Sequence, residues 1–496
     1  MPPRADYSFV TWARLAEYPW TRQGLDCLRG ATRGVTCVRT LSRRRWLEPA
    51  LFQPFLLGTL ISLGLSEFVR GALILSLLPT YGRTVLGFAV ESTALALSVH
   101  YLVDTLLRTV AGWWVDRLGQ RVNLLIGFAI AMTAMLWLMR ARSVLALVLA
   151  MGLLGVAAAP VWPAAVSAIS WTTPKASRAT FMGYLYLFWL AGSGLGPMVI
   201  NLLAGGTYRA AFWVLLAIEA AAFGIVFVWV KPPPTALQKR GDPLASAAPL
   251  GAAVRWPELW KQIKSVAYLF PGMFAQTFAV SSLLPNFSLY VRSVLAASGA
   301  VYSAILATLG AGVISLLIPA GHWVDRRGKR PFLVSGLWTV GVVLGLYPLG
   351  MRGHLLTPLG WTFATVAVLG MAYAIVLPAW NAVLDGSIAV KSKATLWGVF
   401  MTVEGLGSAC GPVVGGWVWE HFGPLASFWL SGGVVATVGL AYLFLPVESA
   451  DMQAHKKSQK NTPPSRTGWP SRDGGVQEAA PTAITPLDGL GGKQKT

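Results

Sequence analysis

Twelve apolar stretches, each about 20 residues long and thus able to cross a membrane as a helix, run along the chain. In the hydrocarbon core of a membrane every backbone N–H and C=O group needs a partner within the protein, so only helices and closed barrels span it. Barrel strands alternate in polarity over about ten residues, and these stretches do not. The sequence therefore predicts an all-α membrane protein with twelve transmembrane helices. The predicted spans are 51–79, 86–110, 122–139, 143–168, 179–203, 210–230, 265–290, 298–319, 331–350, 355–379, 394–418 and 425–446.

The low proportion of charged residues supports the same class. Only 12% of the 496 residues are Asp, Glu, Lys or Arg, against about 25% in an ordinary soluble protein. A net charge of +20 would suggest a nucleic-acid partner in a soluble protein, but here most Lys and Arg residues lie in loops and tails. We therefore predict no nucleic-acid binding. The three cysteines have no His or Cys cluster around them, so we also predict no metal site.

The uneven distribution of basic residues among the loops predicts the orientation in the membrane. Loops after the second, fourth, sixth, eighth and tenth spans carry more Lys and Arg than the other loops. Basic loops stay on the cytoplasmic side, so both termini should be cytoplasmic. The predicted parts are a basic N-terminal extension, a six-helix bundle, a Pro-rich cytoplasmic linker, a second six-helix bundle and a disordered cytoplasmic tail. They cover residues 1–50, 51–230, 231–264, 265–446 and 447–496.

The two halves of the chain repeat each other. GWWVDRLGQR at 112–121 matches GHWVDRRGKR at 321–330, and each follows the second span of its half. Likewise, GSGLGP at 192–197 matches GSACGP at 407–412 in the fifth span of each half. Internal repeats of this kind are typical of secondary transporters, which bind their substrate between the halves near the middle of the membrane. The sequence thus predicts two pseudo-symmetric bundles with a site between them.

The doubled G-x-x-x-D-R-x-G-x-R loop resembles the signature of the major facilitator superfamily. The resemblance covers all twelve spans and implies the fold of that superfamily and transport by alternating access. It implies that the chain is not an enzyme and that it uses a proton gradient rather than a cofactor. It also implies that the acidic and basic residues of these loops brace the inner helix ends during gating. These residues are Asp116, Arg117, Asp325 and Arg326.

Acidic, arginine and histidine side chains lie well inside the first two spans. A charged residue at a helix centre costs about 2.5–3.5 kcal/mol, so each should face a cavity or a partner. Glu67 and Arg70 share one helix face, and His100, Asp104 and Arg108 form a stripe at four-residue spacing. Because a short loop joins the two spans, both sets are expected to line one cavity. Glu67 and Asp104 are candidate proton carriers with His100 as a relay; a structural ion-pair network is the alternative.

Two further carboxylic acids have no evident partner. Glu219 in the sixth span is expected to be structural. Glu404 in the eleventh span either faces the cavity or packs near Gly405 and Gly407, and it is the only charged residue well inside a span of the C-terminal half. This asymmetry predicts an amphipathic substrate, with its polar head in the N-terminal half and its apolar tails along the C-terminal half.

Aromatic side chains recur in P-x-W units at matching places in the fourth and tenth spans. The prolines beside Trp162 should loosen the fourth span and present that ring to the cavity, together with Trp189 of the fifth span. Trp380 and Asn381 occupy the matching place in the tenth span. Indole faces beside acids and arginines suit a sugar, so we predict that these four residues bind the substrate.

Several strings together resemble the family of proton-coupled flippases for the glycolipid anchor of lipoteichoic acid in Gram-positive bacteria. They are SEFVRGALILSLLP (66–79), LSVHYLVD (97–104), APVWP (159–163), MGYLYLFWLAG (182–192), LFPGM (269–273) and LPAWN (377–381). The resemblance implies a disaccharide–diacylglycerol substrate, exchange for protons and a place in the bacterial plasma membrane. It implies that Glu67 and Arg70 form the headgroup and proton-coupling pair, with Asp104, Trp162 and Trp189 beside them. Enzymes of glycolipid or lipoteichoic acid synthesis are the expected partners.

Proton-driven efflux of amphipathic drugs or metabolites is the alternative function. It would use the same charges, but drug–proton antiporters commonly carry Arg in the fourth helix where this chain has Met151. A transporter-like receptor that moves nothing is a third interpretation. The flippase resemblance has one departure within the membrane, because Glu404 stands where an uncharged polar residue is expected.

Overall fold

Long helices dominate the part of the chain that the structure describes. The computed structural model describes residues 49–173, 178–203, 208–231, 256–353, 356–387 and 393–444. Within these ranges there are twelve long helices and no strand, which confirms the predicted all-α class. They are α1 Pro54–Thr84, α2 90–118, α3 120–138, α4 Val144–Thr172, α5 Arg178–Leu203, α6 Tyr208–Trp229, α7 Phe270–Ser293, α8 Gly299–Arg327, α9 Lys329–Gly353, α10 Pro358–Ser387, α11 Lys393–Phe422 and α12 Ala426–Phe444.

The length and composition of these helices suit a membrane. Ten continuous helical stretches of the described chain are long and apolar enough to cross one, and one of them, Val90–Leu138, holds both α2 and α3. The helix α11 coincides with the predicted span 394–418. All twelve helices belong to one compact unit, Met1–Val447, and the second unit, Glu448–Thr496, lies outside the described residues, as does the predicted N-terminal extension up to residue 48.

Several helix boundaries differ from the predicted ones. The helix α1 runs past residue 79 to Thr84 through a π-helical segment, Leu73–Leu77, and α2 begins at Val90 rather than at residue 86. Part of the predicted linker also forms a helix, Trp256–Val266. That segment lacks a continuous apolar run, but its apolar residues recur at helical spacing and fall on one face. Residues 232–255 of the linker lie outside the described part.

A glycine in each repeated loop breaks the helix at the same point of the motif. Gly119 has φ 81° between α2 and α3, and Gly328 has φ 94° between α8 and α9. An L-residue with a side chain rarely adopts this left-handed conformation, which explains why the motif has glycine there. Asn123 fixes the first turn by donating from Nδ2 to the carbonyl oxygens of Trp114 (3.0 Å) and Gly119 (2.8 Å).

The last arginine of each repeated loop caps the final helix of its own half. Arg121 donates from Nη2 to the Phe227 carbonyl oxygen in the last turn of α6, at 2.7 Å. Arg330 donates in the same way to the carbonyl oxygens of Tyr442 and Leu443, in the last turn of α12. The last carbonyls of a helix lack partners within it and carry partial negative charge, so a cation stabilises them. The last arginine of the motif therefore caps the final helix of each half in the same manner.

The repeated glycines bring two helix pairs into backbone contact. In α5, a Cβ on Gly192 or Gly196 would overlap the carbonyl oxygen of Gly64 or Phe68 in α1. In α11, Gly411 approaches the Phe278 carbonyl oxygen of α7 in the same way. Small residues allow such close packing of membrane helices. These glycines therefore hold α1 against α5 and α7 against α11.

Four apolar clusters form the core, and they follow the division into halves. Two of them are built from α1–α6, around buried residues such as Leu73 and Phe128. The other two are built from α7–α12, around residues such as Tyr290 and Phe400, and only Val90 joins them from the other half. We call α1–α6 the N-terminal half and α7–α12 the C-terminal half.

The two halves meet at one end of the bundle, which we call the closed end. It carries the connections at 85–89 and 294–298. There the side chain of Asn201 in α5 donates to the hydroxyl of Ser76 in α1 and accepts from Arg292 in α7. One amide thus links three helices from both halves.

A second contact at the closed end involves α2 and α11. The carboxylate of Glu420 accepts from the backbone N–H of Val90 (2.6 Å) and lies 3.4 Å from Nη1 of Arg83. The two helices remain in contact as far as Gly405, where a Cβ would overlap the hydroxyl of Thr105. The halves are thus joined from the closed end to the level of Thr105.

Candidate substrate and proton site

Four charged side chains of α1 and α2 form one continuous group. Nη2 of Arg70 lies 2.6 Å from Oε2 of Glu67, and Nη1 of Arg70 lies 3.8 Å from Oδ2 of Asp104. Nη2 of Arg108 donates to the same Oδ2 at 2.7 Å. The structure therefore brings together the two polar stripes of the first two spans. We call Glu67, Arg70, Asp104 and Arg108 the charge group.

Burial differs between the acids and the bases of this group. Glu67 and Asp104 are 7% and 3% exposed, whereas the side chains of Arg70 and Arg108 retain 24% and 25%. The arginines therefore face accessible space and cover the acids. Two carboxylates and two guanidinium groups balance, which limits the cost of burying them. A proton bound to either acid would leave one guanidinium group without its partner.

His100 lies one turn from Asp104 but is fully buried where α2 meets α4. A Cβ on Gly155 of α4 would lie 2.6 Å from the His100 carbonyl oxygen, so the two helices touch there. The imidazole packs edge to face on Tyr101, and the backbone of Met151 in α4 lies beside the ring. No direct hydrogen bond joins His100 to the charge group in the described structure, and its role as a relay stays a prediction.

Three aromatic rings from α4 and α5 form a second feature, which we call the aromatic trio. The Trp162 ring lies 5.6 Å from that of Tyr186 and 6.3 Å from that of Trp189, and Tyr186 and Trp189 are 6.4 Å apart. The helix α4 is interrupted at Ala159 and Pro160, as the prolines of this segment predict, and Trp162 follows directly. The trio lies near the charge group, because Gly192 of α5 touches Glu67 one turn after Trp189.

The predicted pair in α10 occupies a different environment. Trp380 is 4% exposed and its ring packs against Tyr442, at 6.2 Å between centroids, inside an apolar cluster. Asn381 is exposed. Pro378 lies inside the continuous α10, so the tenth span lacks the break seen in α4. The two P-x-W units thus differ in helix geometry, and Trp380 interacts with the carboxylate of Glu404 in α11. Substrate binding by the pair in α10 stays a prediction.

The predicted gating residues lie at the turns after α2 and α8. Asp116 and Arg117 are exposed, and the guanidinium of Arg117 lies 4.1 Å from the centre of the Trp113 ring. Arg326 is also exposed, and the side chain of Asp325 lies outside the described residues. Their part in gating stays a prediction.

Two acids that the sequence left without partners lie near this site. Glu219 of α6 is 3% exposed, its Oε2 has no hydrogen-bond partner among the described residues, and it interacts electrostatically with Glu67. Glu404 of α11 is half-buried and accepts a 3.4 Å hydrogen bond from Nε2 of Gln276. It also interacts electrostatically with Arg108 of the opposite half. Sequence spacing reveals neighbours within one helix, whereas these neighbours come from helix packing.

Two similar halves of membrane-length helices, with a group of buried charges in the N-terminal half, define a membrane transporter of the two-bundle type. The model of the Major Facilitator Superfamily matches residues 55–285 and 269–485. The chain belongs to this superfamily, as the doubled loop motif predicts, and it is a multi-pass membrane transporter rather than an enzyme.

Two relatives whose names state a function are similar to this chain over most of its length. The chain is 28% identical over 388 residues to the proton-coupled antiporter flippase LtaA of Staphylococcus haemolyticus. The matched region covers 77% of this chain and 92% of that protein. It is 28% identical over 391 residues to the protein of the same name in Staphylococcus aureus strain USA300, with the same coverage. These similarities agree with the resemblance to flippases seen in the sequence.

Solved structures share the fold at low identity. The nucleoside transporter NupG superposes with a TM-score of 0.65 at 15% identity, over 78% of this chain and 98% of that chain. A D-xylose-proton symporter gives 0.62 at 13% identity, over 79% and 98%. At this identity the likeness establishes the fold alone.

Proposed function

We propose that this chain is a proton-coupled flippase that moves a glycolipid across the bacterial plasma membrane by alternating access. The observation that supports it most is the charge group beside the aromatic trio. A sugar ring stacks its apolar face on indole rings, while its hydroxyls bond to carboxylates and guanidinium groups. The similarity to proton-coupled flippases points to the same class of substrate.

When such a lipid crosses the membrane, the free-energy cost comes from its polar head and not from its apolar tails. A hydroxyl that enters hydrocarbon without a partner costs roughly 4–8 kcal/mol, and a disaccharide carries several. The charge group of the N-terminal half supplies partners for them. The acyl chains can stay among the apolar side chains of the C-terminal half or in lipid. This division favours a disaccharide–diacylglycerol, the anchor lipid of lipoteichoic acid, as the substrate.

The ion pairs of the charge group explain how lipid movement would be coupled to proton exchange. When both acids are ionised, Arg70 and Arg108 are engaged by Glu67 and Asp104. A proton on Glu67 or Asp104 occupies a carboxylate oxygen to which a sugar hydroxyl would otherwise donate. Lipid and proton thus compete for one set of side chains, which is the requirement for antiport.

We also propose the orientation that the basic loops predict, with both termini cytoplasmic. The closed end then faces the outside, and the described conformation is closed to the outside. Enzymes that make the glycolipid or consume it in lipoteichoic acid synthesis are the expected partners.

The test is transport by the purified full-length protein in proteoliposomes. Fluorescent diglucosyl-diacylglycerol should cross much faster with the protein than without it, and a fluorescent phosphatidylethanolamine with the same acyl chains should not. Equal rates for the two lipids would contradict a sugar-selective flippase.

Efflux of amphipathic drugs is the competing function, and the same vesicles test it. An acidic vesicle lumen that drives accumulation of a cationic dye in exchange for protons, with no movement of the glycolipid, would favour efflux. The uncharged Met151 in α4, fully buried, argues against it.

A further inference from the structure

Glu404 is the carboxylic acid of the C-terminal half that the proposed function leaves unused. It lies in the middle part of α11 and is half-buried. Gln276 of α7 donates to its Oε1 at 3.4 Å. A charge at this depth is costly, and Gln276 and Trp380 are polar neighbours of the carboxylate within its own half.

The surroundings of Glu404 place it opposite the charge group. The next residue, Gly405, is in backbone-close contact with Thr105 of α2, and Thr105 directly follows Asp104. The two helices thus meet one residue from each acid. Arg108, which holds Asp104 at 2.7 Å, also interacts electrostatically with Glu404 across the boundary between the halves.

Aromatic side chains of both halves also act on Glu404. Tyr186, a member of the aromatic trio in α5, interacts with it electrostatically, and so does Tyr373 of α10. Both tyrosines are 40% exposed, so both keep accessible surface. Glu404 therefore lies within electrostatic range of Tyr186 in the aromatic trio and of Arg108 in the opposite half.

We infer that Glu404 is a headgroup-binding residue supplied by the C-terminal half, and that the sugar is held between both halves. This inference rests on the proposed function and deepens it. A ring stacked on the trio would present its far hydroxyls to the Glu404 carboxylate, which accepts hydrogen bonds through both oxygens. Gln276 and Tyr373 add further polar partners on that side. The C-terminal half then selects the sugar as well as accommodating the tails.

The test compares binding of two lipids to the full-length protein in nanodiscs. The probes are diglucosyl-diacylglycerol and diacylglycerol with the same tails and no sugar. Glu404→Leu should weaken binding of the glycolipid about tenfold, as expected for loss of a hydrogen bond to a charged group. It should leave diacylglycerol binding unchanged. A structural role would alter both affinities together, and that result would overturn the inference.

Two further variants keep the test decisive. Glu404→Gln is nearly isosteric and keeps one acceptor oxygen, so it should weaken glycolipid binding about threefold to fivefold, less than the leucine variant. Glu91→Gln removes a carboxylate in the first turn of α2, outside this site, and should match the wild type. Wild-type affinity in Glu404→Gln, if the leucine variant does not fold, would overturn the inference. Failure of the wild-type protein to bind the glycolipid at all would instead overturn the proposed function and this inference with it.

Discussion

Arg70 of α1 lies between two acids from different helices, 2.6 Å from the carboxylate of Glu67 and 3.8 Å from that of Asp104. It is thus the residue that joins the polar stripes of α1 and α2. Removing one member of a buried ion pair leaves an uncompensated charge, at about 3–5 kcal/mol.

We therefore predict that Arg70→Gln lowers the thermal stability of the detergent-solubilised protein more than Glu67→Gln does. The double variant should recover part of the loss, because neither charge is then left alone. Melting curves of the three variants test this. Strictly additive losses would show that the two side chains are not coupled.

The glycine packing between α1 and α5 gives a sharp contrast within one helix. Gly196→Ala would push a methyl group into the Phe68 carbonyl oxygen, and overpacking of this kind costs about 1–3 kcal/mol. Gly194→Ala has open space and should stabilise the helix by about 0.5–1 kcal/mol. Thermal unfolding of the two variants should shift in opposite directions; equal shifts would contradict the close contact.

The arginine caps of α6 and α12 predict matching effects in the two halves. Arg121→Ala and Arg330→Ala each remove the donor to the last carbonyls of a helix and should each cost about 1 kcal/mol. Arg327→Ala is the control, since Arg327 is exposed and makes no hydrogen bond or ion pair with the described residues. A loss in the control as large as in the other two would indicate a general effect of charge.

The closed end offers two polar links of unequal strength. Arg292 reaches the buried amide of Asn201, whereas Arg83 pairs with Glu420 in a position where 49% of the Arg83 side chain is exposed. Exposed pairs contribute about 0–1 kcal/mol, so Arg292→Ala should open this end more than Arg83→Ala.

Cysteine labelling measures that opening. Ser288 is fully buried at the closed end, and in a background without native cysteines Ser288→Cys should react slowly with an impermeant maleimide. Arg292→Ala should speed the reaction severalfold and Arg83→Ala only slightly. The opposite order would show that the exposed pair holds this end closed.

Much of this fold could be predicted because its signals are local or repeated. Span length and polarity predict the helices, and the doubled loop motif predicts two similar halves. The meeting of Arg70 with Asp104 was also predictable, since a short loop makes α1 and α2 neighbours. Helical spacing then gave the correct faces for Arg70 and Arg108.

The remaining features depend on contacts between helices that are distant in sequence. Nothing near Glu219 or Glu404 in the sequence indicates that one approaches Glu67 and the other Arg108. The π-helical segment of α1 and the burial of Trp380 follow likewise from packing with other helices. Local pattern therefore predicts which helices form, and tertiary contact decides which polar groups share a site.

The central claim is that the charge group couples protons to movement of a glycolipid. The most direct measurement is the rate of diglucosyl-diacylglycerol flipping in proteoliposomes, with and without an imposed pH gradient. We expect the gradient to increase the flipping rate several-fold in the wild-type protein and in Glu91→Gln. It should have no effect on Asp104→Asn or Glu67→Gln, because neither variant retains both proton-binding acids. A gradient that accelerates these two variants as much as the wild type, or leaves the wild type unchanged, would contradict the account.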